Sequence, residues 1–234
     1  MNTRAHYGFD LPSAALALAV TAVCLLVLTV AVAIGVDGWW WLFPLAYALA
    51  FAFSCASLVY TARRGRFAVW RRLLEGMRLT GRERIVDLGC GRGAVLILAA
   101  RKVPLGHAIG VDRENRLRRT VGNAEAEQVK VDLLPADLKN LENLPIDSAS
   151  IDLVVSSLAL HHIAEEAERA RVITEAVRIL RPGGRVVIAD LRHVPAYAAQ
   201  LTEMRLKNVI ITDLGWRFWH GGPWAHTRAV SATR

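Results

Sequence analysis

Two unbroken apolar runs dominate the first sixty positions. No residue is charged from Leu11 to Val36, and none from Gly38 to Ala62; Asp37 alone separates the runs. Each exceeds the roughly 20 apolar residues needed to cross a bilayer core. The pattern predicts a hairpin of two transmembrane helices. A cleaved signal peptide fits poorly, because the first run is much longer than a signal's apolar region of about 7–15 residues and a second run follows at once. A buried helical pair of a soluble protein is the other alternative. The lengths, spacing and flanks favour two spans.

The pattern changes after Ala62. Phe67, Trp70, Leu73, Leu74 and Met77 recur at helical spacing, with Arg66, Arg71, Arg72 and Arg78 on much of the remaining surface. This predicts an amphipathic connecting helix over 65–79, either resting on an anionic lipid surface or packed on the domain that follows. From residue 80 short apolar runs alternate with helical patterns. Strands are predicted at Arg84–Leu88, His107–Val111, Val129–Val131, Ile151–Ser156, Arg185–Asp190, Val209–Thr212 and His226–Thr233. Helices are predicted at Ala94–Lys102, Glu114–Glu127, Ala164–Leu180 and Pro195–Leu206. Strands alternating with helices imply a Rossmann-like, doubly wound α/β domain with a mainly parallel seven-stranded sheet. The expected organisation is a membrane anchor at 1–64, the connecting helix, and one α/β domain at 80–234.

Charge is distributed unevenly. The chain of 234 residues carries a formal net charge of +8. Residues 1–60 hold only Arg4, Asp10 and Asp37, a balance of −1, so the rest carries +9. A basic part suits nucleic acid, anionic lipid or an acidic substrate, and beside a membrane hairpin lipid headgroups are the simplest partner. Arg63, Arg64, Arg66, Arg71 and Arg72 follow the second run, whereas the Val36–Gly38 turn has no positive charge. The positive-inside rule then puts both termini and the α/β domain in the cytoplasm. Trp39, Trp40 and Trp41 fall at the opposite boundary, where indole rings favour the interface. Cys24, Cys55 and Cys90 have no zinc or disulfide spacing, so no metal is expected.

The chemistry concentrates after the first predicted strand of that domain. The stretch Val86-Asp87-Leu88-Gly89-Cys90-Gly91-Arg92-Gly93 enters a helix. Glycines there allow a tight turn and close approach of a ligand to the backbone. A lone G-x-G-x-G does not separate one nucleotide cofactor from another. Asp87 helps, since a carboxylate is out of place beside a pyrophosphate and suits a cationic ligand. With these residues the chain resembles the class I S-adenosylmethionine-dependent methyltransferases. Asp112, 23 residues after Gly89, stands where the family holds the ribose hydroxyls. Ala136-Asp137-Leu138 resembles the segment that meets the adenine, with Asp132 as the substitute for Asp137. Leu144–Ser156 resembles the approach to the fourth strand, and Leu180-Arg181-Pro182-Gly183-Gly184 the turn before the fifth. The resemblance implies S-adenosyl-L-methionine as cofactor, held by Asp87, Gly89, Gly91, Gly93, Asp112, Asp137, Leu138 and Ser156.

Methyl transfer from a sulfonium is an in-line displacement, so alignment in a dry pocket is the main task. A base is needed only when the nucleophile keeps a proton it does not readily release. The segment Ser156-Ser157-Leu158-Ala159-Leu160-His161-His162 lacks the Asn/Asp-Pro-Pro-aromatic signature of many nucleobase and amide methyltransferases, which argues against nucleic acid. Its paired histidines resemble the quinone, sterol and small-molecule branch. His161 or His162 is the candidate base; the alternative is a capping or packing role. Asp190 and His193 are weaker candidates, for substrate contact or for capping. Leu214–Trp224 is aromatic and glycine-rich where the family has a plain turn, either a packed turn or an apolar lip beside the acceptor.

The expected function is transfer of a methyl group to a lipophilic or small-molecule acceptor at a membrane. A methyltransferase for a membrane protein or peptide is one alternative, and a non-catalytic cofactor-binding scaffold is another. The sequence leaves the acceptor atom and the oligomeric state open.

Overall fold

The computed structural model describes Tyr7, residues 12–141 and residues 143–234. Arg4, Asp10 and Leu11, on which part of the hairpin and orientation argument rests, lie outside the described residues. The chain divides into two compact units. Among the described residues, one gathers residues 12–66 and Gly215–His226; the other gathers Tyr7, Phe67–Leu214 and Thr227–Arg234.

In the first unit, helix α1 (Pro12–Gly35) and helix α2 (Leu42–Tyr60) form a hairpin. Each is long and apolar enough to cross a membrane, by length and composition. Leu16, Val20, Val27, Ile34, Leu49 and Phe53 are exposed along it. Trp39 and Trp40 stack at 5.3 Å in the turn and stand largely exposed. Beyond α2 the helix widens into one π-turn at Thr61–Gly65.

That π-turn receives the aromatic segment from the far end of the chain. The Trp219 carbonyl accepts hydrogen bonds from Thr61 Oγ1 at 2.5 Å and Ser57 Oγ at 3.4 Å. Tyr60 stacks on Trp216 at 5.3 Å, and the Arg217 guanidinium lies 4.6 Å from the same indole. A Cβ on Gly65 would run into the Arg217 carbonyl oxygen. Residues 215–226 are therefore a packed turn with Phe218 as its buried plug, while Trp216 and Trp224 remain exposed.

The second unit begins with helix α3 (Arg66–Gly76) from Phe67 onward. Phe67, Trp70 and Leu74, three residues or four apart, are buried, while Arg71, Arg72 and Arg78 stay exposed. The apolar stripe therefore packs on the α/β domain, one of the two expected uses. Trp70 is fully buried, and its indole N–H donates to Ser157 Oγ at 2.8 Å.

The sheet contains β1 (Arg84–Leu88), β2 (His107–Asp112), β3 (Asp132–Pro135), β4 (Ile151–Ser157), β5 (Leu180–Asp190), β6 (Lys207–Asp213) and β7 (Arg228–Thr233). Its order is β3-β2-β1-β4-β5-β7-β6, parallel except for β7. Helices α4 (Ala94–Ala100), α5 (Glu114–Ala126), α6 (Glu166–Ile179) and α7 (Val194–Glu203) connect the strands. Alternate strand residues serve opposite faces. Val86, Leu88, Val154, Val186 and Ile188 join α6 and α7 in one large core, while Ala108 packs with Leu96 of α4 and Leu117 of α5.

Two expectations need correction. The third strand is Asp132–Pro135, not Val129–Val131. Val129 and Val131 are apolar because they pack on the α4 and α5 clusters, whereas pairing with β2 starts at Asp132 opposite Ile109. The sixth helix ends at Ile179, and β5 starts at Leu180, with Arg181–Gly184 looped out where the β4 register shifts.

Gly65→Ala tests the π-turn contact. The added methyl should destabilise the seat of the aromatic turn by about 1–3 kcal/mol, as overpacking does. Faster proteolysis within residues 215–226 of the full chain, with the α/β domain still resistant, is the expected readout. Unchanged cleavage would show that this contact does not hold the turn.

Candidate active site

The strand order reverses between β1 and β4, so the connections leaving these two strands part and open a crevice at their carboxyl ends. The glycine loop leaves β1 there. Gly89, Gly91 and Gly93 have φ of 75°, 59° and 80°, left-handed values that favour glycine. A Cβ on Gly89 would strike Ala159 in the segment after β4, while Gly91 has open space beside its Cα. The loop is thus packed on one side and bare on another.

Three side chains hold the loop in this shape. The two Asp112 oxygens accept the Gly91 and Arg113 N–H groups at 2.8 and 2.7 Å. Thr120 Oγ1 donates to the Gly91 carbonyl at 2.8 Å, and Asn123 Nδ2 to the Arg92 carbonyl at 2.9 Å. Thr120 and Asn123 were not foreseen. Their signal was only that two polar residues sit inside a helix, three positions apart.

Asp112 is buried but keeps unused lone pairs on both oxygens, enough for a vicinal diol. Asp87 is buried beside it. Burial first, and then the Asp112 charge, push the Asp87 carboxyl up to about 7. Burial and the same two carboxylates also hold the Cys90 thiol well above its ordinary value, so it is no nucleophile. A cationic ligand would relieve this crowding of acids.

Asp137 follows β3 at the carboxyl edge and caps a short 3-10 turn through Lys139 N at 3.1 Å. Asp132 sits at the opposite end of β3, 3.2 Å from His107, so the substitute for Asp137 is on the wrong edge. Leu138 lies next to Gly89. Ser156 is buried and its hydroxyl donates to the Leu88 carbonyl at 2.8 Å. That hydroxyl ties β4 to β1 and is not available to a cofactor. Asp87, Gly89, Gly91, Asp112, Asp137 and Leu138 are thus gathered around one crevice, a set that fits a cationic nucleoside.

Across the crevice, the structure joins two residues that lie 29 positions apart. Asp190, the last residue of β5, is fully buried. Its oxygens accept the His161 N–H at 3.0 Å and the Leu191 N–H at 2.8 Å, and His161 Nδ1 makes a short contact with the same carboxylate. An ionised carboxylate only accepts, so Nδ1 carries a proton, and in the neutral ring Nε2 keeps its lone pair. The His161 side chain is 14% exposed, while His162 is exposed with its ring 4.0 Å from His161. Asp190 thus holds both the backbone and the ring of His161. The Tyr197 phenol, buried near the same carboxylate, is raised by burial and by that charge. His193 starts α7 at φ 63°, and Leu158 follows β4 at φ 55°, so both carboxyl ends carry left-handed residues. Among the described residues no acid, histidine and cysteine cluster could hold a metal ion.

This sheet and this crevice define the class I methyltransferase fold. Residues 86–188 match the family described as "Methyltransferase domain". An arsenite methyltransferase of Halobacterium salinarum is 36% identical over 114 residues, covering 47% of this chain and 27% of that one. The 27-O-demethylrifamycin SV methyltransferase of Amycolatopsis mediterranei is 32% identical over 130 residues, covering 54% and 45%. The chain thus spans less than half the length of these relatives. A geranyl diphosphate methyltransferase solved with its cofactor superimposes with a TM-score of 0.56 at 15% identity, over 72% of this chain and 85% of that one, a likeness of fold alone.

Asp87 gives a pH prediction. Its folded value of about 7 lies above the ordinary 3.8. The folded chain therefore keeps a proton that the unfolded chain has already released, and stability falls as pH rises from about 4 to about 7. Asp87→Asn should flatten that slope in thermal melts of the cofactor-free chain. A slope unchanged by the substitution would assign the effect to another group.

Proposed function

We propose that the chain is a membrane-anchored S-adenosylmethionine-dependent methyltransferase whose acceptor is a lipophilic or small molecule bearing a proton on its nucleophilic atom. The observation that carries this reading is the His161–Asp190 pair at the carboxyl ends of β4 and β5. The cofactor supplies an electrophilic methyl group when bound. Asp112 would take the ribose hydroxyls, Asp87 would face the cationic end, and Asp137 and Leu138 would border the adenine. Asp190 fixes the ring of His161, and Nε2 withdraws the acceptor proton as the nucleophile attacks. Such a base has a purpose only for an O–H, N–H or acidic C–H acceptor. A nucleophile with a free lone pair and no proton would not require it.

The exposed apolar hairpin supports an anchor, since a surface of that kind in water would associate. The five arginines after the second apolar run favour a cytoplasmic domain, with the basic face of α3 toward anionic lipid. A bilayer concentrates lipophilic acceptors, which suits a domain with little room for a substrate cap. The small-molecule methyltransferases among its relatives support the same acceptor class.

The full chain in lipid bilayers, given methyl-labelled cofactor and a lipid extract, should place label in the extractable lipophilic fraction. His161→Ala should lower turnover by about 10²–10⁴-fold, the usual span of general-base catalysis, with cofactor affinity unchanged. Label only in protein would favour the peptide reading, and binding without turnover the scaffold reading. Extraction of the chain by alkaline carbonate would remove the anchor.

Cofactor affinity should also rise as pH increases toward about 7 and level off above it, because a cationic ligand binds ionised Asp87 and displaces its proton. Calorimetry in buffers of different ionisation heat measures that released proton. Binding without proton release would mean that Asp87 does not face the cation.

A further inference from the structure

Between α1 and α2 lies an open cavity of about 670 Å³, bordered on α1 by Ala19, Ala22 and Leu26 and on α2 by Ala52, Ala56 and Val59. Its walls are apolar, because alanines stand where larger side chains would fill the seam. One end is different in kind. Tyr60, Arg63 and Arg64 close it, and both arginines are exposed. The volume falls within the roughly 300–1,000 Å³ of small-molecule sites. The groove is therefore amphiphilic along its length, a hydrocarbon slot ending in two cations.

We infer that this groove binds one anionic phospholipid of the inner leaflet, its acyl chain along the alanine seam and its phosphate between Arg63 and Arg64. The inference rests on the membrane reading of the hairpin, not on the catalytic one. Charge complementarity selects the headgroup. Guanidinium groups pair with phosphate oxygens in a planar fork, and a zwitterionic headgroup would bring its own cation to two existing ones. The depth agrees, since Arg63 and Arg64 follow the last apolar turn of the second span, where headgroups lie. A second copy of the hairpin is a poorer occupant. Copies inserted with the same topology and related by an axis along the membrane normal would place four guanidinium groups at one depth. A small-residue seam otherwise invites such helix pairing.

The test uses the full chain, reconstituted in bilayers holding phosphatidylglycerol and phosphatidylcholine of identical acyl chains, then released into detergent for native mass spectrometry. The wild type should retain one phosphatidylglycerol in preference to phosphatidylcholine. The pair Arg63→Gln and Arg64→Gln should reduce that preference by about tenfold or more, as loss of two interfacial cations implies. Ala56→Leu, which fills the slot and leaves the charges, should reduce retention of both lipids. Equal retention by wild type and both variants would overturn the site. So would disulfide-trapped dimers through Cys55 in place of bound lipid, which would assign the groove to a second copy. A chain that never enters bilayers would instead refute the membrane reading, and the lipid site with it.

Discussion

A parallel sheet covered on both faces has one exit for polar chemistry, its carboxyl edge, and everything functional in the second unit follows from that constraint. Side chains from β1, β4 and β5 that point to either face meet helices, so Ile85, Val154 and Val187 are buried hydrophobics. Buried ionised groups need paired or hydrogen-bonded surroundings. Asp112 and Asp190 escape the apolar layers by standing at strand ends, where backbone N–H groups and an imidazole meet them, whereas burial of Asp87, one residue inside β1, raises its carboxyl. Because the strand order reverses between β1 and β4, these ends surround one crevice rather than lying along a row.

The loop in that crevice is held from behind. Its left-handed glycines make the turn possible, but they do not choose one conformation, since glycine is permissive in all of them. Asp112, Thr120 and Asn123 make the choice by fixing one N–H and two carbonyls. The Ala159 contact with Gly89 then couples the loop to the segment that carries His161. Cofactor loop and candidate base are thereby placed by the same packing, which is the rigidity that an in-line transfer demands.

The readable parts of this protein were those encoded over short range. Two uncharged runs, a glycine loop after an apolar strand and acids at fixed spacing each lie within a few residues of the feature they define. Alternation of strands and helices gave the α/β class for the same reason. The failures are contacts across the chain. Val129 and Val131 read as a strand because apolar alternation does not reveal whether the partner is a sheet or a helix. Ser156 sits in the expected place, yet its hydroxyl turns inward to Leu88, a choice set by a strand 68 positions away. Gly65 gave no hint that the Arg217 backbone would lie against it. Asp190 offered two roles from sequence, and only the fold shows that its carboxylate belongs to His161.

That last pairing is what the proposed base reading rests on. A histidine beside a methyl-transfer crevice is compatible with substrate binding, packing or proton transfer. Under the proposed general-base reading, the neutral ring held in this way would receive a proton from the atom being methylated. In the proposed reading, the carboxylate that ends one strand orients the ring carried after its neighbour, which is the positioning a base there would need.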